Sequence, residues 1–368
     1  MLTAQEYDAA ENVALLRTPN RIVECCQPIV FHTESYPVRI PNEAAAIRYL
    51  DVMQDGRTED TFTSLINGLT ADEIAAMRRI AEKVAALTER LYGQRSVPRS
   101  GMLRALNVVR HIRYLWPQSG TVLEVGAGSG YVGALLLELG FRYICTDITQ
   151  AFYLWQNQLL TAIAGNGLAE LATSRIEIDQ AVADYPAVHL PWWKFVVPSP
   201  RTGLRLDVVT CNHAWCEMHP NAMAYTLAVA AEMLQGNGHK AVVFEGWGST
   251  VRHPIWHVGK ALAGAGFVFA NNDIRASIAV RSDNPAAVHA MVLPIPNANT
   301  DEERFHPRIH VDTRNPIGAL CASGRDKTKL ATAASLADYD MMLREVLGRD
   351  DLLTDDERFM RFVADHRR

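Results

Sequence analysis

Residues 121–133 read TVLEVGAGSGYVG, an apolar run carrying one acid, Glu124, and then glycines at alternate positions, Gly126, Gly128 and Gly130. Glycines so spaced after a strand let the chain turn tightly and bring backbone against a ligand. A carboxylate just before the turn suits a cationic ligand better than a diphosphate. A second β-rich run, RYICTDIT (142–149), ends on Asp147, about 20 residues beyond the loop, where an acid commonly accepts hydrogen bonds from ribose hydroxyls. Thr149 and Gln150 follow closely enough to reach the same nucleoside.

The segment LDVVTCNHAWCEMHP (206–220) places Asn212, His213, Glu217 and His219 within eight positions at the end of a predicted strand. A hydroxyl is a weak nucleophile until its proton is removed, so an imidazole here serves as a general base, and His213 and His219 are the candidates. Glu217 can orient an imidazole or hold an acceptor hydroxyl. Asn212 can bond an acceptor or the polar end of a cofactor. The types of His213, Glu217 and His219 would also suit a metal, but their spacing matches no zinc motif, so no metal is expected.

A third stretch, FEGWGSTVRHPIWHVGKAL (244–262), has Glu245 and Trp247 at a strand end. With Pro254 opening a helix, His253 and His257 share one face, and these four residues are candidates for binding the acceptor. The tryptophan pair in PWWKF (191–195) could stack on a sugar or on adenine, or plug the core.

Elements must hold these groups in place. Alternating strand and helix patterns run from 121 to about 293, with strands expected at 121–125, 142–147, 174–178, 205–211, 240–245, 267–272 and 288–293. The expected fold is α/β, a Rossmann-like, seven-stranded, mostly parallel sheet with helices on both faces. Ligands in such sheets sit beyond the carboxyl ends of the strands, where all three stretches fall.

Before the sheet, residues 1–99 read as a helical extension, with a capping box of Thr70 and Glu73 opening the helix 70–93. Residues 100–116 form an amphipathic helix that begins the core domain, 100–293. Residues 294–368 are expected to form a Pro- and Asn-rich linker and a helical tail.

With 368 residues, 48% hydrophobic, the chain can bury a large core. A net charge of −5 with scattered basic residues offers no footprint for nucleic acid or an anionic membrane, leaving a small molecule as the expected partner. The N-terminus lacks a secretory apolar stretch and no run reaches membrane-spanning length, so the reading is cytoplasmic. Six cysteines without C-x-x-C spacing, including the adjacent Cys25 and Cys26, fit reduced, mostly core residues.

A dinucleotide fingerprint, G-x-G-x-x-G, would place its third glycine at position 131, which is Tyr131. The E-x-G-x-G-x-G spacing instead resembles motif I of class I S-adenosylmethionine methyltransferases. GSGYVGALLLELG, TDITQAFYLWQNQLL, PWWKF and CNHAWCEMHPNA together resemble a sugar O-methyltransferase family over roughly residues 100–290. The resemblance implies S-adenosylmethionine as cofactor, with Glu124, Gly126, Gly128 and Gly130 as its loop and Asp147 as its ribose acid. It also implies methyl transfer to a hydroxyl of a sugar or sugar-containing small metabolite. N-methylation of a small amine or guanidine is the close alternative. An NAD-dependent oxidoreductase and a non-catalytic binding protein are the distant ones. The helical flanks would shape the acceptor pocket or a homodimer interface.

Overall fold

The computed structural model describes residues 1–25, 38–51, 58–65, 68–196, 204–234, 241–246, 256–272, 277–281, 334–350 and 352. Helices come first. α1 (Ala4–Leu15) opens on a capping box between Thr3 and Glu6. It is followed by α2 (Asn20–Cys25), a 3-10 stretch at Glu43–Tyr49 and α3 (Thr58–Ser64). The predicted capping box at Thr70 forms: Glu73 N donates to Thr70 Oγ1, and Thr70 N donates to the Glu73 carboxylate. It starts α4 (Ala71–Tyr92), which ends at Gly93 in the left-handed region. The α4 face bearing Met77, Ile80, Ala81, Val84 and Ala85 is fully buried, and each larger side chain contributes about 1.5–3 kcal/mol by leaving water. Glu73 also binds Arg110 of α5 (Ser100–Leu115), fixing the angle between the two helices.

The sheet region then runs through β1 (Thr121–Val125), α6 (Tyr131–Glu138), β2 (Arg142–Thr146), α7 (Gln150–Ala164), β3 (Leu168–Glu170), α8 (Ile178–Asp184) and β4 (Ala187–His189). It continues with α9 (Trp192–Val196), β5 (Val208–Thr210), α10 (Pro220–Met233), β6 (Ala241–Phe244), α11 (Trp256–Gly264), β7 (Phe267–Asn272) and β8 (Ser277–Arg281). A later helix, α12 (Leu336–Leu347), packs on α4, which itself covers α6 and α7.

Strand order is β3-β4-β2-β1-β5-β6-β8-β7. Pairing is parallel from β3 to β6, and β8 lies antiparallel between β6 and β7. The expected Rossmann-like, seven-stranded, mostly parallel α/β sheet is present, with the short strand β3 added at one edge. From β1 the chain winds outward through β2 and then returns to the other side of β1 as β5. The carboxyl ends of β1 and β5 therefore border a topological switch point, where an open sheet leaves a crevice.

Besides the added β3, three strand assignments change. Residues 174–178 form no strand; the alternating Ile176 and Ile178 mimic a period of two, but Glu177 occupies the N-cap position of α8. The strand lies at β4, whose three residues between Pro186 and Pro191 are too few to show a period. β8 was not anticipated, because only four residues separate it from β7 in a tight antiparallel pair. The expected strand 288–293 and the expected linker and helical tail, apart from residues 334–350 and 352, lie outside the described residues. No helix among the described residues is long and apolar enough to cross a membrane.

Candidate functional site

Gly126, Gly128 and Gly130 all lie in the left-handed region, with φ of 72°, 56° and 78°. At Gly126 a side chain is excluded twice over: by conformation, and because a Cβ would sit 2.6 Å from Cβ of Ala214 on the β5 side. A Cβ on Gly128 would meet nothing within 4 Å, so that face of the turn is open to a ligand. The loop crosses onto the neighbouring strand through Gly126 N, which donates to Thr146 O at 2.8 Å.

Glu124 is 1% exposed. Its carboxylate accepts from Tyr143 OH at 2.6 Å and from Asn212 Nδ2 at 2.9 Å. Burial pushes its pKa up to about 7, against the pull of those two donors and with a further push from Asp147. Two donors leave lone pairs unused, so this wall of the crevice fits a cationic group. Asp147, also buried, accepts from Thr149 N at 2.9 Å, Gly128 N at 3.1 Å and Gln156 Nε2 at 3.0 Å. Burial raises its pKa while these three donors oppose the rise.

α7 and the N-terminal segment hold the loop from behind. Trp155 Nε1 donates to Ser129 O at 3.1 Å and Gln156 Nε2 to Gly128 O at 2.7 Å. Ser129 Oγ donates to Asp51 O at 3.1 Å, and Tyr131 OH to Leu50 O. The Asp51 carboxylate in turn accepts from Arg99 N at 2.7 Å and Gly101 N at 2.6 Å at the start of α5. No sequence pattern announced this latch, since its partners lie far apart in the chain.

Across the crevice, Asn212 ties three strand ends together. Its Nδ2 donates to Glu124 and to Thr210 Oγ1 at 3.0 Å, and its Oδ1 accepts from Glu245 N at 3.0 Å. His213 is the one non-glycine residue among those described with positive φ, 57°. Such strain costs on the order of 1–3 kcal/mol and is found at sites where the surroundings over-determine the backbone. Its N–H donates to Glu245 O at 2.8 Å, and its Nε2 lies 3.5 Å from Glu245 Oε1. A Cβ on Gly246 would meet the His213 ring at 2.4 Å, so that glycine seats the imidazole. The His213 side chain is 48% exposed while that of Glu245 is 16% exposed, an imidazole at a mouth backed by a carboxylate. Burial pushes the Glu217 carboxyl up to about 7, with His213 pulling it down and Asp147 pushing it further up.

The glycine loop, Glu124, Asn212, His213 and Glu245 line one cavity of about 150 Å³, while Asp147, buried behind Gly128, and Glu217 are not part of its lining. That volume is smaller than the roughly 300–1,000 Å³ of ordinary ligand pockets, so it accounts for part of a ligand. α5 supplies a wall that includes Arg104, a cationic side chain missing from the sequence reading. Its signal was a single charged residue on the otherwise buried first turns of the helix preceding β1.

Other candidates fall elsewhere. His219 is the N-cap of α10: its Nδ1 accepts from Asn221 N at 3.2 Å, with Pro220 next in the helix. Gln150 bridges the extension, accepting from Ile40 N and donating to Asp8 Oδ1. Thr149 is buried at the N-cap of α7 without a side-chain cap bond. Trp192 and Trp193 are buried in α9, where Trp192 Nε1 donates to Glu11 at 2.7 Å and Trp193 stands edge-on to Tyr7. Trp247 and His253 lie outside the described residues, and His257 is described only as part of α11. Among the described residues no three His, Cys, Asp or Glu converge as metal ligands would.

No protein-family model matches the chain, and no curated protein matches its sequence. Solved structures do. One is a TehB-like SAM-dependent methyltransferase from Corynebacterium glutamicum, at 16% identity and a TM-score of 0.30 over 47% of this chain and 85% of that one. Another is the 1,6-didemethyltoxoflavin-N1-methyltransferase of Burkholderia thailandensis, at 15% and 0.35 over 58% and 92%. A third is an amino pentose methyltransferase from Micromonospora echinaspora, at 14% and 0.32 over 48% and 90%. Likeness at these values carries no argument about ligand or chemistry. The fold rests on the strand order itself.

Proposed function

We propose that this protein is an S-adenosylmethionine-dependent methyltransferase acting on a hydroxyl of a sugar or sugar-containing small metabolite. The observation that carries the reading is the crevice at the β1/β5 switch point. It joins a three-glycine turn and a buried acid on β1, with the acid after β2 bonded behind the turn, to an imidazole–carboxylate pair on the other side. Glu124 and Asn212 would hold the ammonium end of the cofactor, the backbone of residues 126–130 its middle, and Asp147 its ribose. When bound, S-adenosylmethionine supplies an electrophilic methyl carbon that an acceptor lone pair displaces from sulfur.

The chain's own part is alignment and proton removal. His213, with Glu245 beside its Nε2, takes the acceptor hydroxyl proton, and Glu245 steadies the imidazolium that forms. Glu217, with a carboxyl that changes charge near pH 7, binds the acceptor or assists the same proton transfer. His219 is committed to capping α10, so the base is assigned to His213.

A specific observation favours a second reading. Glu245 lies 3.5 Å from His213 Nε2 and Glu217 feels the same imidazole electrostatically, and a cationic amine acceptor would be drawn to two such carboxylates. N-methylation needs less help from a base, so the two readings separate on how strongly turnover depends on His213.

The deciding experiment supplies purified protein with methyl-labelled S-adenosylmethionine and a panel of nucleotide sugars, glycosides, amines and amino acids. Calorimetric titration with S-adenosylhomocysteine and with NADH runs in parallel. The expected result is binding of S-adenosylhomocysteine alone and label on an oxygen of a sugar-type acceptor. Binding of NADH, or no affinity for S-adenosylhomocysteine, ends the proposal.

A further inference from the structure

We infer that Gln156, oriented by the buried pair His189 and Glu170, is a positioning residue that sets the ribose end of the proposed cofactor site. The inference rests on the methyltransferase reading above and extends it to residues that line no part of the cavity.

Gly128 presents its two backbone groups to two side chains that are bonded to each other. Its N–H donates to Asp147 Oδ2 at 3.1 Å, and its C=O accepts from Gln156 Nε2 at 2.7 Å. Gln156 Nε2 donates its second hydrogen to Asp147 Oδ2 at 3.0 Å. A carbonyl and a carboxylate only accept, so the amide must turn its nitrogen toward both. Its oxygen then faces His189 Nε2 at 3.2 Å. On the other side of the ring, His189 Nδ1 is 2.7 Å from Glu170 Oε2. Each ring nitrogen of His189 thus meets an oxygen acceptor.

The pair behind Gln156 is completely built. His189 is fully buried and stacks on Tyr153 with centroids 3.6 Å apart and planes 14° from parallel. Glu170 also accepts from Tyr153 OH at 2.6 Å, Asn157 Nδ2 at 2.7 Å and Ala172 N at 2.7 Å. Burial alone would raise its pKa; the charge on His189 and these donors outweigh it and hold the carboxyl below the usual value. A buried ion pair is a poor device for stability, because desolvation offsets much of its attraction. Here it has a directional effect. Gly128 O and Asp147 fix the amide nitrogen on one side, and His189 Nε2 meets the amide oxygen on the other, so the ring holds the far end of the amide in place. Thr149 N, Gly128 N and Gln156 then occupy three of about four acceptor positions on Asp147, leaving the remaining one for a ribose hydroxyl.

The test measures binding of S-adenosylhomocysteine and of its 2′,3′-dideoxyribose analogue to the full-length protein by calorimetry. Wild type, Gln156→Met and His189→Gln are compared, with thermal melts to establish that each is folded. The expected result is a loss of about 10- to 100-fold in S-adenosylhomocysteine affinity for Gln156→Met, while the dideoxy analogue changes less than about threefold. His189→Gln should show the same selective loss at smaller size, and it carries the test alone if Gln156→Met does not fold. Wild-type affinity in both variants, or equal losses for both ligands, overturns the positioning role. Failure of wild type to bind S-adenosylhomocysteine overturns the methyltransferase reading itself, and this inference with it.

Discussion

The two walls of the crevice are built on different principles. On the β1/β2 wall the groups are buried and bonded to other parts of the chain: Glu124 to Tyr143 and Asn212, Asp147 to three donors, and the loop carbonyls to Trp155 and Gln156. On the β5/β6 wall His213 is half-exposed, held at a strained φ, and faces a carboxylate at 3.5 Å. On the proposed reading the first wall receives the same cofactor in every cycle and gains from donors and acceptors fixed in advance, while the second must accept and release a proton and gains from a group that keeps one face in solvent.

The contrast breaks most readily at His213. If it is the base, His213→Ala should lower kcat by about 10²–10⁴-fold while S-adenosylhomocysteine affinity by calorimetry stays near wild type. An unchanged kcat would move the assignment to N-methylation. On the opposite wall, Gly126→Ala should act through the fold. A left-handed φ costs about 1–2 kcal/mol for a side chain and the approach to Ala214 adds about 1–3 kcal/mol, so urea denaturation should show a loss of about 2–5 kcal/mol.

Glu124 sharpens the comparison through pH. An ammonium prefers the carboxylate, and the buried acid is protonated below about 7, so ligand binding must first remove a proton there. S-Adenosylhomocysteine affinity should rise up to about tenfold per pH unit approaching that value and level above it. Glu124→Gln should bind weakly with no such slope; a slope that persists would mean another group titrates. In the unliganded protein the raised pKa has the opposite sign: its contribution to stability, full below the ordinary 4.5, is lost as pH rises through about 7. The smallest effect belongs to His219→Ala, which should cost about 0.5–2 kcal/mol in denaturation as a lost N-cap and leave turnover within about threefold. A large drop in turnover would return His219 to the list of bases.

What could be read from the sequence follows the range of the interactions involved. The glycine turn, Glu124, Asp147 and the Thr70 capping box are local patterns in which neighbouring residues impose the conformation, and they appear in the structure where the spacing puts them. The dense cluster after β5 was visible too, but its division of labour was not. Whether a histidine caps a helix or faces a crevice depends on the turn at Ala214–Met218. Gln156, His189 and Glu170 escaped notice because their partnership spans two strands and a helix, and β4 is too short to reveal a period. Trp192 and Trp193 illustrate the reverse: prominent in composition, they belong to the packing between α1 and α9.

The latch at Leu50 and Asp51 changes how the molecule can be cut. A fragment beginning at residue 100 would keep every strand, yet Ser129 and Tyr131 would lose the carbonyls they bond to, and α5 would lose the carboxylate at its first turn. The first hundred residues thus brace the glycine turn from behind, and on the proposed reading trimming them should cost S-adenosylhomocysteine affinity before it costs the sheet.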